Sequence, residues 1–466
     1  MTNGKHPLSW KAQRFIQSTD KFLIEDLKPG GIYEGIWCRD ASYILKDWYL
    51  SGKIEQTLKE VRNIWSYQVE EDDDTHSRKL IYGRGSPEMD FTPVISNDRT
   101  KKRFEGSLPT SIFQENNIVE VFGKSPDIDS TALMISTTSW ILAKLLDNSV
   151  ASAFSDSNKS PSSGGQSFLS TKNVIDLLLP KMNKAVSYLI SRDIDNDCLL
   201  EQDHNEDWMD SVMRRGKVVY SNATWILALK NFSKLLRELD KDNSNEQENY
   251  NAAIDRVEKI QDKVVWGVEE RLWSNEDCCY IDLQEAERHI GGPYRTLTQD
   301  VVLYLIANID RIIKKQEIST DERKIDTNKS LDLYGRAVST LNAIKNRIWK
   351  KGNWPLVTEI ELKMTGPWIL KPYQYHNYTF WPWTTALEIL ARNMFKQIQE
   401  SDLLFSQLAS EEGNPREYAF YEWINPIIDE GQGAYPFRTG ISSIRMALFE
   451  ILEEAYQSHV NRLNEK

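Results

Sequence analysis

The stretch DNDCLLEQDHNEDWMDSVMRRGKVVY (195–220) leads into SNATWILALKNFSKLLRELD (221–240), and together they show how the chain is built. The second part carries apolar residues at the 3.6-residue period of an amphipathic helix, whereas the first part has no such period. A turn of only three residues, 241–243, then precedes the next predicted helix. A long loop, a helix, a tight turn and a second helix therefore form one unit of the fold.

The same unit recurs along the whole chain. The apolar period predicts about twelve helices, at 8–25, 40–50, 53–71, 127–147, 171–194, 221–240, 244–267, 296–316, 329–350, 382–398, 401–412 and 437–458. Two further connections are as short as the first, at 51–52 and 399–400. Six are long, at 26–39, 72–126, 195–220, 268–295, 351–381 and 413–436. Each long loop precedes an even-numbered helix.

This alternation predicts an all-α (α/α)6 barrel, a toroid of six helical hairpins. The inner helices are expected to begin under the six long loops, where functional residues usually lie. The remaining connections, 148–170 and 317–328, are interpreted as insertions. The first is rich in Ser and Gly and predicts a flexible segment. Because the helical pattern resumes after it, one domain over 1–466 is predicted, with strand-like alternation confined to connections such as 354–364.

Composition narrows the class of partner. Lys and Arg total 57 against 69 Asp and Glu, a net charge of −12, which argues against nucleic acid or anionic lipid. No apolar run approaches the ~20 residues of a membrane span, and the first residues lack an apolar signal segment. A cytoplasmic location is therefore expected. The 15 Trp and 19 Tyr residues slightly favour a carbohydrate partner, because aromatic rings stack on the C–H faces of sugars.

The sequence predicts no cofactor and leaves the oligomeric state open. The four cysteines lack metal-ligand spacing and are predicted to be buried or half-buried free thiols; they are Cys38, Cys198, Cys278 and Cys279. In DIDNDCLLE (193–201), Asp193, Asp195 and Asp197 have the first three ligand positions of a calcium loop. Cys198 stands where such a loop needs Gly, and His204 where it needs Glu. A structural turn without metal is the interpretation here, with calcium as the alternative.

The loop before the sixth helix holds a candidate acid. It has eight carboxylates from Asp193 to Asp210, and like charges near apolar surface raise one of their pKa values. Trp208 and Met209 are expected to bury Asp210, and a carboxylic acid that keeps its proton can protonate a leaving oxygen. A solvated acidic loop is the structural alternative. Asp207 is the fallback acid if this segment is helical.

Three other loops carry candidate ligand-binding residues. Glu422 is a carboxylate set among rings in the last long loop, and it could instead be a structural acceptor of backbone N–H groups. Trp37, Arg39 and Asp40 stand at the start of an inner helix, where Asp40 can serve as N-cap. KPYQYHNYTFWPW (371–383) gathers an aromatic group consisting of Tyr375, His376, Trp381 and Trp383. His376 fits a core histidine as well as a sugar contact.

These motifs resemble those of known families. FYEWxNP (420–426) resembles the FYEYxDP motif of the inverting family that contains processing α-glucosidases and mannosylglycerate hydrolases, which implies that Glu422 is the general base. EDWMDS (206–211) is similar to the acid segment of that family and to a WMD run of glycogen debranching enzymes, which implies that Asp210 is the general acid. WCRD (37–40) resembles the WGRD of debranching enzymes, implying that Arg39 and Asp40 contact the −1 sugar. YPFRTG (435–440) departs from the usual FSWT.

The resemblance implies an inverting glycoside hydrolase that cleaves an α-glucosidic or related α-glycosidic bond of a small saccharide or glycogen-type oligosaccharide. A glycosylglycerate hydrolase is the alternative. Inversion predicts carboxyl groups about 6.5–9.5 Å apart. Glu417 and Glu430 are fallback bases. The predicted substrate-binding residues are Trp37, Arg39, Asp40, Asp207, Trp208, Tyr375, His376, Trp381, Trp383, Tyr421, Trp423 and Arg438.

Two other classes compete with hydrolysis. A sugar epimerase on the same fold would use histidines at the mouth of the barrel, and a chain with only six histidines disfavours it. A catalytically inactive carbohydrate-binding barrel is the other possibility, and variants of the two carboxylates would separate it from an enzyme.

Overall fold

A computed structural model describes residues 9–23, 26–70, 79–85, 92–95, 97–155, 164–212, 214–242, 250–284, 296–313, 332–350, 354–359 and 370–464. These residues are mainly helical, as predicted. The helices are α1 Ser9–Thr19, α2 Cys38–Leu50, α3 Ile54–Trp65, α4 Asp98–Phe104, α5 Ile128–Ser155, α6 Gly164–Ile190, α7 Val219–Asp242, α8 Asn251–Arg271, α9 Val302–Ala307, α10 Leu333–Ala343, α11 Pro382–Met394, α12 Ile398–Leu408 and α13 Arg438–Asn464.

The strands are short. They are β1 Ile36–Trp37, β2 Lys79–Tyr82, β3 Val94–Ile95, β4 Ser111–Phe113, β5 Ile118–Val121, β6 Lys217–Val218, β7 Trp273–Ser274, β8 Cys279–Tyr280, β9 Leu283–Gln284, β10 Trp423–Asn425 and β11 Glu430–Gln432. The described residues form two compact units. One, the central unit, holds those of 35–269, and the other, the terminal unit, holds those before 35 and after 269.

In the central unit, three predicted inner helices pack side by side. Helix α5 contacts both α2 and α7, while α3 packs on α2 and α6 packs on α5. Every residue from 128 to 139 of α5 is buried, including apolar side chains such as Ile135 and polar ones such as Thr138, both at 0% exposure. Helices α2, α5 and α7 are the second, fourth and sixth predicted helices. The hairpin pattern read from the loops therefore holds in this unit.

The terminal unit repeats this arrangement. Helix α11 contacts α9 and α13, the eighth and twelfth predicted helices, and α12 packs behind it. Helix α1 packs on α13, so the first helix of the chain joins the last. Phe15 of α1 and Phe405 of α12 meet in the same apolar core, with ring centroids 5.7 Å apart.

A five-stranded sheet in the central unit was not predicted. Its strand order is β1-β4-β5-β2-β3, with β2 and β5 parallel and the other pairs antiparallel. Most of it comes from the long loop before α5. Strands of two to four residues are too short to show alternation, which explains why the sequence pattern missed them.

Several predicted boundaries are wrong. Helix α7 ends at Asp242 and α8 begins at Asn251 rather than at 244, and 243–249 lie outside the described residues. Helix α11 ends at Met394, and α12 follows at Ile398 after a turn in which Lys396 has a φ of 61°. The predicted insertion 148–170 is helical at both ends, in α5 and α6. Its centre, 156–163, and the insertion 317–328 lie outside the described residues.

Two smaller expectations can be compared with the structure. Residues 354–359 of the predicted strand segment form isolated bridges rather than a strand, and 360–364 lie outside the described residues. All four cysteines are free, but Cys278 is exposed rather than buried. Within the described residues, none of the helices is both long and apolar enough to cross a membrane.

Candidate active site

The start of α2 places Arg39 among carboxylates. Trp37 is extended because it pairs with Ser111 of β4, and it precedes α2 as an N-cap without a side-chain bond. Asp40 is therefore the third helical residue, and its predicted role as N-cap is wrong. Nε of Arg39 lies 3.6 Å from Asp40, and Nη1 lies 3.3 Å from Asp129. Burial lowers the pKa of Arg39, but these two carboxylates raise it further than burial lowers it.

Two buried aspartates join this cluster from the start of α5. Asp129 is in the first turn and fully buried. Burial raises its pKa to about 6, although Arg39 opposes the rise. Asp127 accepts a hydrogen bond from Thr110 at 2.7 Å. Burial and then Asp129 raise the pKa of Asp127, and the charge of Asp210 adds to the rise.

Sequence reasoning missed Asp127 and Asp129. The signal was present, since PDIDS (126–130) ends a long loop just before a predicted inner helix. The same reasoning that selected Asp40 at the start of α2 applies to this segment. The two aspartates, Asp40, Asp210 and Arg39 are called the acid cluster below.

The loop before α7 is held against the loop before α5. The backbone N–H of Ile128 donates to the carbonyl of Glu206 at 3.1 Å, and that of Ser125 donates to the Glu206 carboxylate at 2.8 Å. A Cβ on Gly123 would lie 2.9 Å from the carbonyl oxygen of Asn205. The side-chain amide of Asn205 in turn donates to the backbone oxygen of Asp210. These contacts account for the interaction of Asp127 with Asp210.

Most of the predicted acidic run is neutralised by specific cations. The ion pairs are Lys217 with Asp195, Asp197 and Glu201, Arg192 with Glu206, Arg214 with Asp207, and Arg215 with Asp203. The effect of neighbours within the run on Asp210 stays a prediction. Asp127, which lies outside the run, is one carboxylate whose charge interacts with that of Asp210.

Asp207 is committed to structure. It is 1% exposed, and one of its oxygens accepts from Nε of Arg214 at 3.0 Å and from Gln202 at 2.9 Å. Its other oxygen accepts from the backbone N–H of Met209 at 2.9 Å. Residues around it form turns rather than a helix, so the geometry assumed for the fallback acid is absent. Asp210 is half-buried and thus retains access to solvent.

The two tryptophans of the central unit differ in exposure. Trp208 is 3% exposed and packs against Tyr220, with ring centroids 6.3 Å apart. This burial leaves little of its ring for a ligand. Trp37 is half-buried, with the Arg39 guanidinium 6.0 Å from its ring centroid. Trp37 can therefore offer part of a ring face to a sugar.

In the terminal unit, Glu422 is a buried carboxylate with three hydrogen-bond donors. It is 2% exposed and precedes β10, which pairs with β11. One oxygen accepts from the hydroxyl of Tyr33 at 2.5 Å and from that of Tyr375 at 3.4 Å. The other accepts from the backbone N–H of Ala434 at 2.8 Å. Burial, with help from Tyr375 and Glu422, raises the pKa of Tyr33 above its usual value, so this phenol remains a donor at neutral pH.

Tyr33 was not predicted, and two glycines explain how it reaches Glu422. Gly30 and Gly31 have φ values of 101° and 58°. A Cβ on Gly30 would collide with the carbonyl oxygen of Pro436, and one on Gly31 would lie 2.7 Å from Cα of Ala434. The Gly-Gly pair in a long loop was the sequence signal for this close approach.

Arg438, the first residue of α13, fixes the same loop. Its Nη1 lies 3.0 Å from the Asp26 carboxylate and donates to the carbonyl of Lys28 at 2.9 Å. Its backbone N–H donates to the carbonyl of Pro29 at 2.7 Å. Arg438 therefore orients the loop that carries Tyr33. Its contact with substrate stays a prediction.

The aromatic run before α11 surrounds the Glu422 partner Tyr375. His376 is fully buried and stacks on Trp381, with ring centroids 4.9 Å apart. This favours the core interpretation of the histidine. Trp381 and Trp383 are each 3% exposed, and the indole N–H of Trp381 donates to the carbonyl of Tyr375 at 3.1 Å. These rings fix the backbone that presents Tyr375.

The residues around Glu422 differ in their contacts and in their exposure to solvent. The hydroxyl of Tyr421 donates to Glu417 at 3.0 Å, and its ring packs over Gly431 of β11. Trp423 lies 6.4 Å from Tyr375 between ring centroids. The fallback bases Glu417 and Glu430 are both exposed. Among these three carboxylates, only Glu422 is withdrawn from solvent.

The calcium-like turn holds an ammonium group. Asp193, Asp195 and Asp197 place oxygens within 4.8 Å of one another, a spacing that would suit a metal ion. Nζ of Lys217 lies 2.6 Å from Asp195 and 3.2 Å from Asp197. Asp193 accepts backbone N–H bonds from Asp197 and Cys198 at 2.9 Å. Lys217 thus supplies a positive charge to this turn, and backbone N–H groups supply hydrogen bonds to Asp193.

Comparison with known proteins places the fold. No protein-family model matches the chain, and no curated protein matches its sequence. An uncharacterized conserved protein from Thermus thermophilus superposes with a TM-score of 0.55 at 16% identity, over 95% of this chain and 99% of that chain. The GH63 mannosylglycerate hydrolase from the same organism, in complex with glucose, gives 0.54 at 16% identity, over 95% and 100%.

The complex of that hydrolase with Tris and D-glycerate matches equally, with a TM-score of 0.54 at 16% identity over the same shares of both chains. The chain therefore has the fold of these proteins along nearly its whole length. This agrees with the family resemblance carried by the motifs around Asp210 and Glu422.

Proposed function

We propose that this protein is an inverting glycoside hydrolase whose helical hairpins form an (α/α)6 barrel, with Asp210 as general acid and Glu422 as general base. The observation that carries the proposal is the environment of Glu422. Hydrogen bonds from donors to a buried carboxylate favour its charged form, which is the form that a general base requires.

The acid cluster supports the role of Asp210. Asp127 and Asp129 are buried carboxylates near Arg39, and the charges of Asp127 and Asp210 repel one another. Two interacting carboxylates share protons as a pair, so one proton is retained to higher pH than for an isolated acid. Asp210, the half-buried member, is the one positioned to pass that proton to a ligand.

The proposed reaction is a single displacement. Asp210 gives its proton to the glycosidic oxygen as the bond from that oxygen to the anomeric carbon breaks. Glu422 takes a proton from water as the water oxygen bonds to the opposite face of the anomeric carbon. The products are a free sugar of inverted configuration and an alcohol. Glu422 then returns its proton to solvent, and Asp210 regains one.

The substrate proposed first is an α-glucoside of a small saccharide or glycogen-type oligosaccharide, on the motif resemblance. A glycosylglycerate is the second candidate, because a solved structure with this fold is a mannosylglycerate hydrolase that was crystallised with D-glycerate. The epimerase alternative loses support, since the histidine it would use, His376, is fully buried.

Asp210→Asn and Glu422→Gln test the proposal, with Glu417→Gln as the exposed control from the same loop. We expect each of the first two to lower kcat for an O-glycoside by at least ~100-fold, and the control to leave it unchanged. On an α-glycosyl fluoride, whose leaving group needs no proton, Asp210→Asn should recover much of the parental rate and Glu422→Gln should not. Parental rates in both Asp210→Asn and Glu422→Gln would contradict the mechanism, whereas binding without hydrolysis by the parent would favour a binding protein.

A further inference from the structure

Across the sheet of the central unit, a row of paired residues runs from Trp37 to Glu120. Trp37 of β1 pairs with Ser111 of β4, and Ser111 pairs with Glu120 of β5. Directly paired residues carry their side chains on the same face of a sheet. The indole and the carboxylate are thus on one face, two strand spacings or about 10 Å apart at the backbone.

Glu120 is a buried carboxylate with few partners. It is 3% exposed, and among the described residues its Oε1 has an ion pair but no hydrogen bond of good geometry. Oε2 accepts one long bond, 3.4 Å, from the Ser111 hydroxyl. Nε of Arg84, a side chain that is 49% exposed, lies 2.9 Å from Oε1. Burial raises the pKa of Glu120, while Arg84 and Ser111 oppose the rise.

This arrangement is costly as a purely structural feature. The free-energy cost of removing a carboxylate from water is offset only when strong hydrogen bonds replace those to water. An ion pair with a half-exposed arginine stabilises the buried charge only slightly, and the hydrogen bond from Ser111 is long. The remaining acceptor capacity of Glu120 points to a ligand that donates hydrogen bonds.

We infer that Glu120 is a specificity-determining residue that accepts hydrogen bonds from hydroxyl groups of a sugar stacked on Trp37, with Arg84 donating to the same sugar. The inference rests on the proposed function, because it takes the ligand class from it. A carboxylate can accept from two neighbouring hydroxyls at once, an arginine supplies donors, and an indole supplies an apolar face. Trp37, Glu120 and Arg84 together meet the needs of one pyranose.

The test is the binding of D-glucose and D-mannose, with their monodeoxy analogues, to the full chain by NMR titration. The binding of both sugars can be measured whether or not the protein hydrolyses glycosides. The variants are Glu120→Gln, Arg84→Gln and the control Glu115→Gln, an exposed residue of the same segment. Melting temperatures establish that each variant is folded. If Glu120→Gln does not fold, Arg84→Gln provides the test.

Charged hydrogen bonds to a ligand predict that Glu120→Gln weakens binding of the preferred sugar ~10-fold or more. Arg84→Gln should weaken it less, and Glu115→Gln not at all. One deoxy sugar should bind the parent and Glu120→Gln equally, because the bond lost by the variant is already missing from that ligand. The inference would be overturned if Glu120→Gln weakened the binding of every deoxy sugar by the same factor as it weakens binding of the complete sugar. It would also be overturned if Glu120→Gln bound the preferred sugar as tightly as the parent does.

These outcomes are separable from those of the proposed function. Binding that depends on Glu120 in a chain without hydrolytic activity would keep the inference and reject the hydrolase. Hydrolysis that requires Asp210 and Glu422 but is indifferent to Glu120 would do the reverse. A parent chain that binds neither sugar nor any analogue would overturn the inference.

Discussion

The hydroxyl of Tyr33 lies 2.5 Å from Oε1 of Glu422, across a separation of 389 residues in the chain. The tyrosine comes from the first long loop and the carboxylate from the last. A phenol that stays protonated stabilises the charged form of its acceptor. The contact therefore favours the charged form of Glu422, which the proposed general base requires.

Tyr33→Phe should lower kcat about 10-fold, in line with the loss of one hydrogen bond to a charged group. The carboxylate form of Glu422 loses its shortest donor, so the acidic limb of the pH–rate profile should move to higher pH. Tyr375→Phe is the matched control, since its 3.4 Å bond predicts a smaller effect on both. An acidic limb that stays in place in Tyr33→Phe would show that the contact does not tune the base.

Gly30→Ala should destabilise the protein and reduce activity together. The new Cβ would collide with the Pro436 carbonyl, displacing the loop that carries Tyr33. Gly52→Ala is the control, because Gly52 also has a positive φ, 81°, but nothing lies within 4 Å of its Cβ position. It should cost only the ~1 kcal/mol of left-handed strain and leave kcat unchanged. Equal effects in urea unfolding and kinetics would argue against close approach at Gly30.

Lys217→Ala should create a calcium response. Without its ammonium group, Asp195, Asp197 and Glu201 repel one another, and the melting temperature should fall. Millimolar Ca²⁺ should then restore part of the loss, because carboxylate oxygens are the ligands that calcium prefers. The parental melting temperature should not respond. A parental increase with Ca²⁺, reversed by a chelator, would instead show that the turn binds metal beside the lysine.

The pH dependence of stability should carry a signature of Glu206. Burial raises its pKa from 4.5 to about 6, although Arg192 opposes the rise. The folded state therefore binds a proton more tightly than the unfolded chain, and the free energy of unfolding should fall as pH rises from about 4.5 to 6. The contribution is on the order of 2 kcal/mol. Asp129, with a pKa of about 6, acts in the same direction.

Urea unfolding of the parent and Glu206→Gln at pH 4.5, 5.5 and 7 checks this. The variant cannot titrate, so its stability should fall less between pH 4.5 and 6 than that of the parent. Its overall stability should be lower, because the pair with Arg192 at 2.7 Å is weakened. Parallel curves for the two proteins would contradict the assignment.

Much of the architecture was predictable because helices signal themselves locally. An apolar stripe recurs every 3.6 residues, so α2, α5 and α7 were found from the sequence pattern alone. The five-stranded sheet was not, since its two- to four-residue strands are defined by partners far along the chain. The predicted helix ends were also wrong where a single backbone conformation ends the helix, as near Lys396.

The candidate residues divide in the same way. Asp210 and Glu422 were chosen from their neighbours in sequence, and their roles stay predictions. Tyr33 and Asp127 could not be chosen that way, because what distinguishes each is a contact made through the fold. Asp207 was the fallback to Asp210 in the sequence analysis, and its burial together with its contacts to Arg214 and Gln202 separates the two in the structure.

The central claim is that this chain hydrolyses an α-glycosidic bond with inversion. The most direct measurement is proton NMR of the reducing sugar first released from α-glucosides, α-mannosides and their glycerate conjugates. Inversion at an α-glycosidic bond predicts that the β-anomer appears first and then mutarotates. An α-anomer as the first product, or no release from any of these substrates, would contradict it.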